Sequence, residues 1–196
     1  MRSGNKPIDA LLKELFALCR SDSLSEDGLR EIIERYGATK NPNITHYGFF
    51  GLACHNERVT EGILRLLLEY FPYAASFLGR EGSAPLHEIC FNKNATLGMV
   101  QLLIDAYPES LSRANNDGYM PLHVLCLNKN LDEDVGLDIL KLLLVRCPES
   151  VRHADVTNGS LPLTQSIKAI LHVADLNNTP FSRNGKCRNC SKNRTF

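Results

Sequence analysis

The chain has 196 residues, 43% hydrophobic and 22% charged, with 22 Lys/Arg against 22 Asp/Glu. That balance fits a globular domain with a buried core and excludes a fibrous or wholly disordered chain. No apolar run approaches the ~18 residues a bilayer span needs, and Leu11-Leu12 runs straight into Lys13-Glu14, too short and too charged for a secretory core.

In chain order, a segment of about residues 5–40 reads as a weak first copy of a unit that recurs. Cys19, Glu26, Leu29 and Tyr36 return 35 residues on as Cys54, Glu61, Leu64 and Phe71. The second copy, about 41–76, opens near His46 and carries Phe49-Phe50-Gly51 at its first helix. The third, about 77–112, opens on Gly82-Ser83-Ala84-Pro85-Leu86-His87. The fourth, about 113–153, repeats this as Gly118-Tyr119-Met120-Pro121-Leu122-His123, and the last, about 154–175, begins Gly159-Ser160-Leu161-Pro162-Leu163-Thr164 and stops after one helix. Cys54, Cys90 and Cys126 keep a spacing of 36, as do Asn56, Asn92 and Asn128.

Each unit reads as helix, loop, helix, finger. Pro85, Pro121 and Pro162 suit the first turn of a short helix, where a missing N–H is no loss. Met99, Val100, Leu103 and Ile104 give the second helix, about Leu97 to Tyr107, one buried face. Leu66, Leu67, Leu102, Leu142 and Leu143 are read as core with them. Pro108 and Pro148 stop the second helices, and Asn115-Asn116-Asp117-Gly118 makes a turn whose Gly takes positive φ. The fourth copy is longer, and its excess is placed in the acidic loop Leu131-Asp132-Glu133-Asp134.

The repeated Pro-Leu-His, each preceded three residues earlier by Gly, resembles the ankyrin repeat family, whose unit is a β-turn followed by two helices. The likeness covers roughly residues 5–175. It departs where Thr is expected: Ala84, Met120 and Leu161 stand there. The period also exceeds the usual ~33 residues. The resemblance implies an all-α solenoid of stacked units with short β-turn fingers and atypical end copies. It implies that His87 and His123 bond nearby backbone, and that Cys19, Cys54, Cys90 and Cys126 are packed, unpaired thiols in an intracellular protein, cytoplasmic or nuclear.

In function the likeness implies a non-enzymatic protein-interaction module, acting as a monomer with an unidentified protein partner. The positions matching the family's variable surface are Arg80, Glu81, Ser83, Asn116, Asp117, Tyr119, Thr157 and Asn158 on the fingers. On the first helices they are Phe91, Asn92, Leu127 and Asn128, with Tyr47 aligned to Ser83 and Tyr119. For Phe91 and Leu127 two placements stay open: exposed on the face, or tucked under the inter-helix loop to close the core.

No Gly-rich phosphate loop or Ser/His/Asp signature occurs, so no catalytic residue, cofactor or metal is assigned. Residues 176–196 carry Arg183, Lys186, Arg188, Lys192 and Arg194 without an acid, which reads as a disordered, solvating tail. Cys187 and Cys190 have metal-ligand spacing but lack a second pair nearby. The alternative function is a nucleic-acid- or metal-associated regulator acting through that tail; nucleic acid is not the expected partner.

Overall fold

The computed structural model describes residues 6–37, 47–79 and 81–152. Four helix pairs occupy them: α1 (Lys6–Arg20) with α2 (Glu26–Arg35), α3 (Gly48–His55) with α4 (Glu61–Tyr70), α5 (Pro85–Phe91) with α6 (Leu97–Ala106), and α7 (Pro121–Leu127) with α8 (Glu133–Arg146). The first helices pack in the order α1, α3, α5, α7, and the second helices in the order α2, α4, α6, α8. Two layers of helix result, and the described residues contain no strand. The expected last copy at 154–175 and tail at 176–196 lie outside them.

The second helices begin where a hydroxyl can hold a free N–H. Ser25, Thr60 and Thr96 accept from Gly28, Ile63 and Met99 at 3.2 Å each, which satisfies one otherwise orphaned donor per helix. Thr60 Oγ1 also donates to the Glu26 carboxylate of the preceding pair (3.3 Å), and Thr96 Oγ1 to Glu61 (3.4 Å). Gly62 and Gly98 make room for those carboxylates, since a Cβ at either would fall on the acid. In α8 the cap is Asp132, accepting from Asp134 and Val135 at 3.1 Å. The extra residues of this copy therefore lengthen the helix rather than the loop. Glu133 and Asp134 sit in its first turn, where the helix dipole favours negative charge.

Pro108 and Pro148 do end the second helices, and each then opens a short 3-10 turn, Pro108–Ser112 and Pro148–Arg152. The recurrent Pro-Glu-Ser explains why. Ser110 Oγ donates to the Tyr107 carbonyl and Ser150 Oγ to that of Cys147, both at 2.6 Å, and both serines are buried. Each hydroxyl adds a second donor to a carbonyl that already accepts the same serine's N–H, which fastens the turn.

The inner stripe of the second helices holds Leu66, Leu67, Leu103 and Leu143, all buried. Leu102 and Leu142 are only half-buried, contrary to the expectation that they are core. They lie about 100° round the helix from the neighbouring leucine and fall at the edge of the stripe.

All five described cysteines are free, and Cys19, Cys54 and Cys90 have no exposure. Cys126 is partly exposed. Burial pushes the thiols of Cys19 and Cys126 up to about 12, and those of Cys54 and Cys90 up as well. Native labelling of Cys54 and Cys90 should thus run at least about a hundredfold slower than in denaturant, reflecting an opening free energy near 3 kcal/mol, with Cys126 reacting before either. Peptide-mapped alkylation checks the order.

The second copy, which lacks Pro-Leu-His, is fastened by aromatic packing. Phe49 and Phe50 are fully buried at the positions of Pro85 and Leu86. Phe49 meets Phe71 (centroids 5.1 Å) and Phe16 (6.0 Å) edge to face, an arrangement aromatic rings favour. Tyr47 packs on Phe49 and Phe77 and is buried, so it is not the surface position the alignment implied. Gly51 stands where the third and fourth copies place histidine, and a Cβ there meets nothing within 4 Å. Gly51→Ala should accordingly stabilise α3 by about 0.5–1 kcal/mol, by lowering the entropy of the unfolded chain; thermal melting tests this.

Candidate functional site

The fingers are tight turns. Gly82 N–H donates to the Gly79 carbonyl and Gly118 N–H to that of Asn115, both at 3.0 Å. Gly82 and Gly118 have φ of 70° and 80°, the left-handed region that a side chain disfavours. Asn115 Oδ1 accepts from Asp117 (3.1 Å) and Tyr119 (2.9 Å), an Asx-type closure. Asn116 N–H donates to the Glu81 carbonyl at 2.9 Å and joins one finger to the next. Glu81, Asn116 and Asp117 are exposed at the tips, and Ser83 is half-buried. Tyr119 is half-buried on its stem, its ring 6.0 Å from that of His123. Arg80, Thr157 and Asn158 lie outside the described residues, as do Cys187 and Cys190.

Histidine ties finger to helix. His87 Nδ1 accepts from the Ala84 N–H (3.1 Å) and Nε2 bonds the Tyr119 carbonyl (3.0 Å). A backbone N–H can only donate and a carbonyl only accept, so the proton sits on Nε2 and the ring is neutral. His123 Nδ1 accepts from Met120 N–H in the same way (3.1 Å). With every donor and acceptor of His87 engaged with backbone, no nucleophile or metal role is left to it.

Burial lowers the pKa of His87 from 6.5, against hydrogen bonds to backbone that raise it. Below about pH 6.5 the unfolded chain binds a proton that the folded chain refuses. Stability is therefore full above that pH and falls beneath it, by up to about 1.4 kcal/mol per pH unit, until the folded form also protonates. Glu88 works the other way: burial raises its carboxyl above 4.5, opposed by His55, so the folded form takes up that proton first. Urea melts of Glu88→Gln between pH 7 and pH 5 should show the histidine loss alone.

Asn92 and Asn128 were assigned to the variable face, and the structure corrects this. Asn92 is only 5% exposed. Its Nδ2 donates to the carbonyls of Cys54 and Asn56, both at 2.9 Å, and its Oδ1 accepts from Asn94 N–H at 2.9 Å. Asn56 does the same with Cys19 (3.1 Å) and Ser21 (2.8 Å), and Asn128 with Cys90 (3.1 Å) and Asn92 (3.3 Å). One asparagine thus follows each of α3, α5 and α7 and satisfies carbonyls at the end of the preceding first helix. The spacing of 36 was the sequence's only trace of it.

Phe91 and Leu127 close their helices one residue before these asparagines and point outward. They are 54% and 55% exposed, which decides between the two placements left open above. Arg20 and His55 occupy the same position in α1 and α3. The His55 ring lies parallel to Phe91 at 6.3 Å, and its Nδ1 is 3.2 Å from Glu88. The row along the ends of the first helices therefore changes from polar to apolar.

Among the described residues no group of three His, Cys, Asp or Glu side chains is placed to hold a metal ion, and no helix is long and apolar enough to cross a membrane. No family model matches the chain, and no curated protein matches it.

Proposed function

We propose that this chain is an ankyrin-type solenoid serving as a non-enzymatic protein-interaction module, with a partner protein lying along the fingers and the ends of the first helices. The likeness in Pro-Leu-His, the paired helices in two layers and the positive-φ glycines of the fingers support the family reading. One observation carries the functional one: Phe91 and Leu127 are more than half exposed at equivalent positions of two helices that pack against each other. Exposing two large apolar side chains side by side gains the monomer nothing, whereas at an interface they serve as anchors.

The test is a photo-crosslinking residue placed at Phe91, and separately at Val145, which is 78% exposed on α8. A discrete adduct formed from Phe91 and lost with Leu127→Ser is the expected result. Adducts from Val145 alone would overturn the proposal. Phe91→Ser should shift stability by no more than about ±0.5 kcal/mol, as is usual for surface sites.

A further inference from the structure

We infer that the segment docking on this face is acidic at one end and apolar at the other, its carboxylate entering a cleft beside α1 and α3 while its apolar side chain covers Phe91 and Leu127. This deepens the interaction-module reading and rests on it. The cleft has a volume of about 560 Å³ and is lined by Arg20 at the end of α1 and Asp22 after it, by His55 and Arg58 around the end of α3, and by Asn94. Arg20 and Arg58 are exposed and make no ion pair among the described residues. Glu57, also in the lining, is held by Lys93 at 2.7 Å. Two guanidinium groups therefore face a single unpaired acid, Asp22.

The setting sharpens this local excess of positive charge. Residues 1–175 hold 22 acids against 17 bases, so two unpaired guanidinium groups side by side run against the charge balance of this part of the chain. Guanidinium groups suit carboxylates because their N–H donors match both oxygens. His55 lines the cleft and also stacks on Phe91, which makes the charged and apolar subsites contiguous. First helices spaced ~8–10 Å apart set the cleft two spacings from the Phe91 and Leu127 pair, and an extended chain advancing ~3.3 Å per residue then puts roughly five or six residues between the carboxylate and the apolar side chain. Charge sets orientation along the row and apolar burial supplies affinity, the usual division at an interface.

Selection of displayed random linear peptides on the whole chain tests this. Enriched peptides should carry Asp or Glu roughly five or six positions from Leu, Ile, Met or Phe. The Arg20→Glu/Arg58→Glu chain should exchange the acid preference for Lys or Arg and weaken an enriched wild-type peptide roughly tenfold, keeping the apolar preference. Phe91→Ser/Leu127→Ser should abolish enrichment. If enrichment needs Phe91 and Leu127 but shows no acid preference, or one that survives the arginine changes, the inference is overturned and the docking face stands. If the wild-type chain enriches nothing, or all four changes leave enrichment untouched, both fall. Circular dichroism confirms that these exposed-site variants remain folded.

Discussion

Phe49→Ala should lower the stability of the second helix pair by about 3–5 kcal/mol, the range for deleting a buried phenylalanine ring. Phe49 has no exposure, and its ring joins α1 to α3 through Phe16 and reaches Phe71 at the end of α4. Truncation leaves a cavity among side chains anchored on three separate helices, which cannot all move in to fill it. No polar contact takes over, because Gly51 stands where a histidine would bond the finger. In a stack whose pairs touch only their neighbours, the loss falls on this pair and its two interfaces. Urea unfolding should then broaden or split, the N-terminal pairs melting before α5 to α8. Phe49→Leu keeps most of the apolar volume and should recover more than half of the loss. A single sharp transition shifted by less than about 1 kcal/mol would show that the aromatic cluster does not fasten this copy.

How far the residues announced this depends on whether a residue acts on its own backbone or on a distant one. Pro85, Pro121, Gly82 and Gly118 restrict or relax local dihedrals, so helix starts and finger turns were legible from type and spacing. Leu103, Ile104 and Leu143 obey the helical period and were found in the core. Asn56, Asn92 and Asn128 were seen as a spacing, and Asn92 and Asn128 were read as surface, since asparagine is mostly exposed and the carbonyls these side chains serve lie 35 to 38 residues away along the chain. Asp132 to Asp134 looked like loop by composition, whereas three acids in a row also suit a capped helix start. Tyr47 was aligned with finger tips, but Phe49 and Phe77 enclose it. The exposure of Phe91 and Leu127 depends on whether the following loop turns over them or away. No pattern within the loop decides that, so this part of the candidate site needed coordinates.

The loss from Asn92→Ala should approach that of the phenylalanine, about 2–4 kcal/mol, although only three side-chain heavy atoms are removed. The substitution leaves the carbonyls of Cys54 and Asn56 and the N–H of Asn94 without the partners they have now. A hydrogen bond formed in place of water is worth only about 1 kcal/mol, but a buried group left unsatisfied costs about 1–3 kcal/mol. Asn92→Asp separates this cause from packing, because it keeps the shape and removes the donors. At pH 7 a carboxylate would face two carbonyl oxygens, so Asp should be at least as damaging as Ala. Its folded pKa is raised above the unfolded value, so the deficit relative to wild type should shrink as pH falls through that range. Recovery stays partial, since a protonated acid supplies one donor where the amide supplied two. Asn94→Ala is the control: its Nδ2 donates to the Glu57 carbonyl at 2.8 Å in an exposed setting, where water can replace it, and the change should cost less than about 1 kcal/mol. Equal losses for Asn92→Ala and Asn94→Ala, or a pH-independent Asn92→Asp deficit, would mean that this series of amide bonds does not hold successive first helices together.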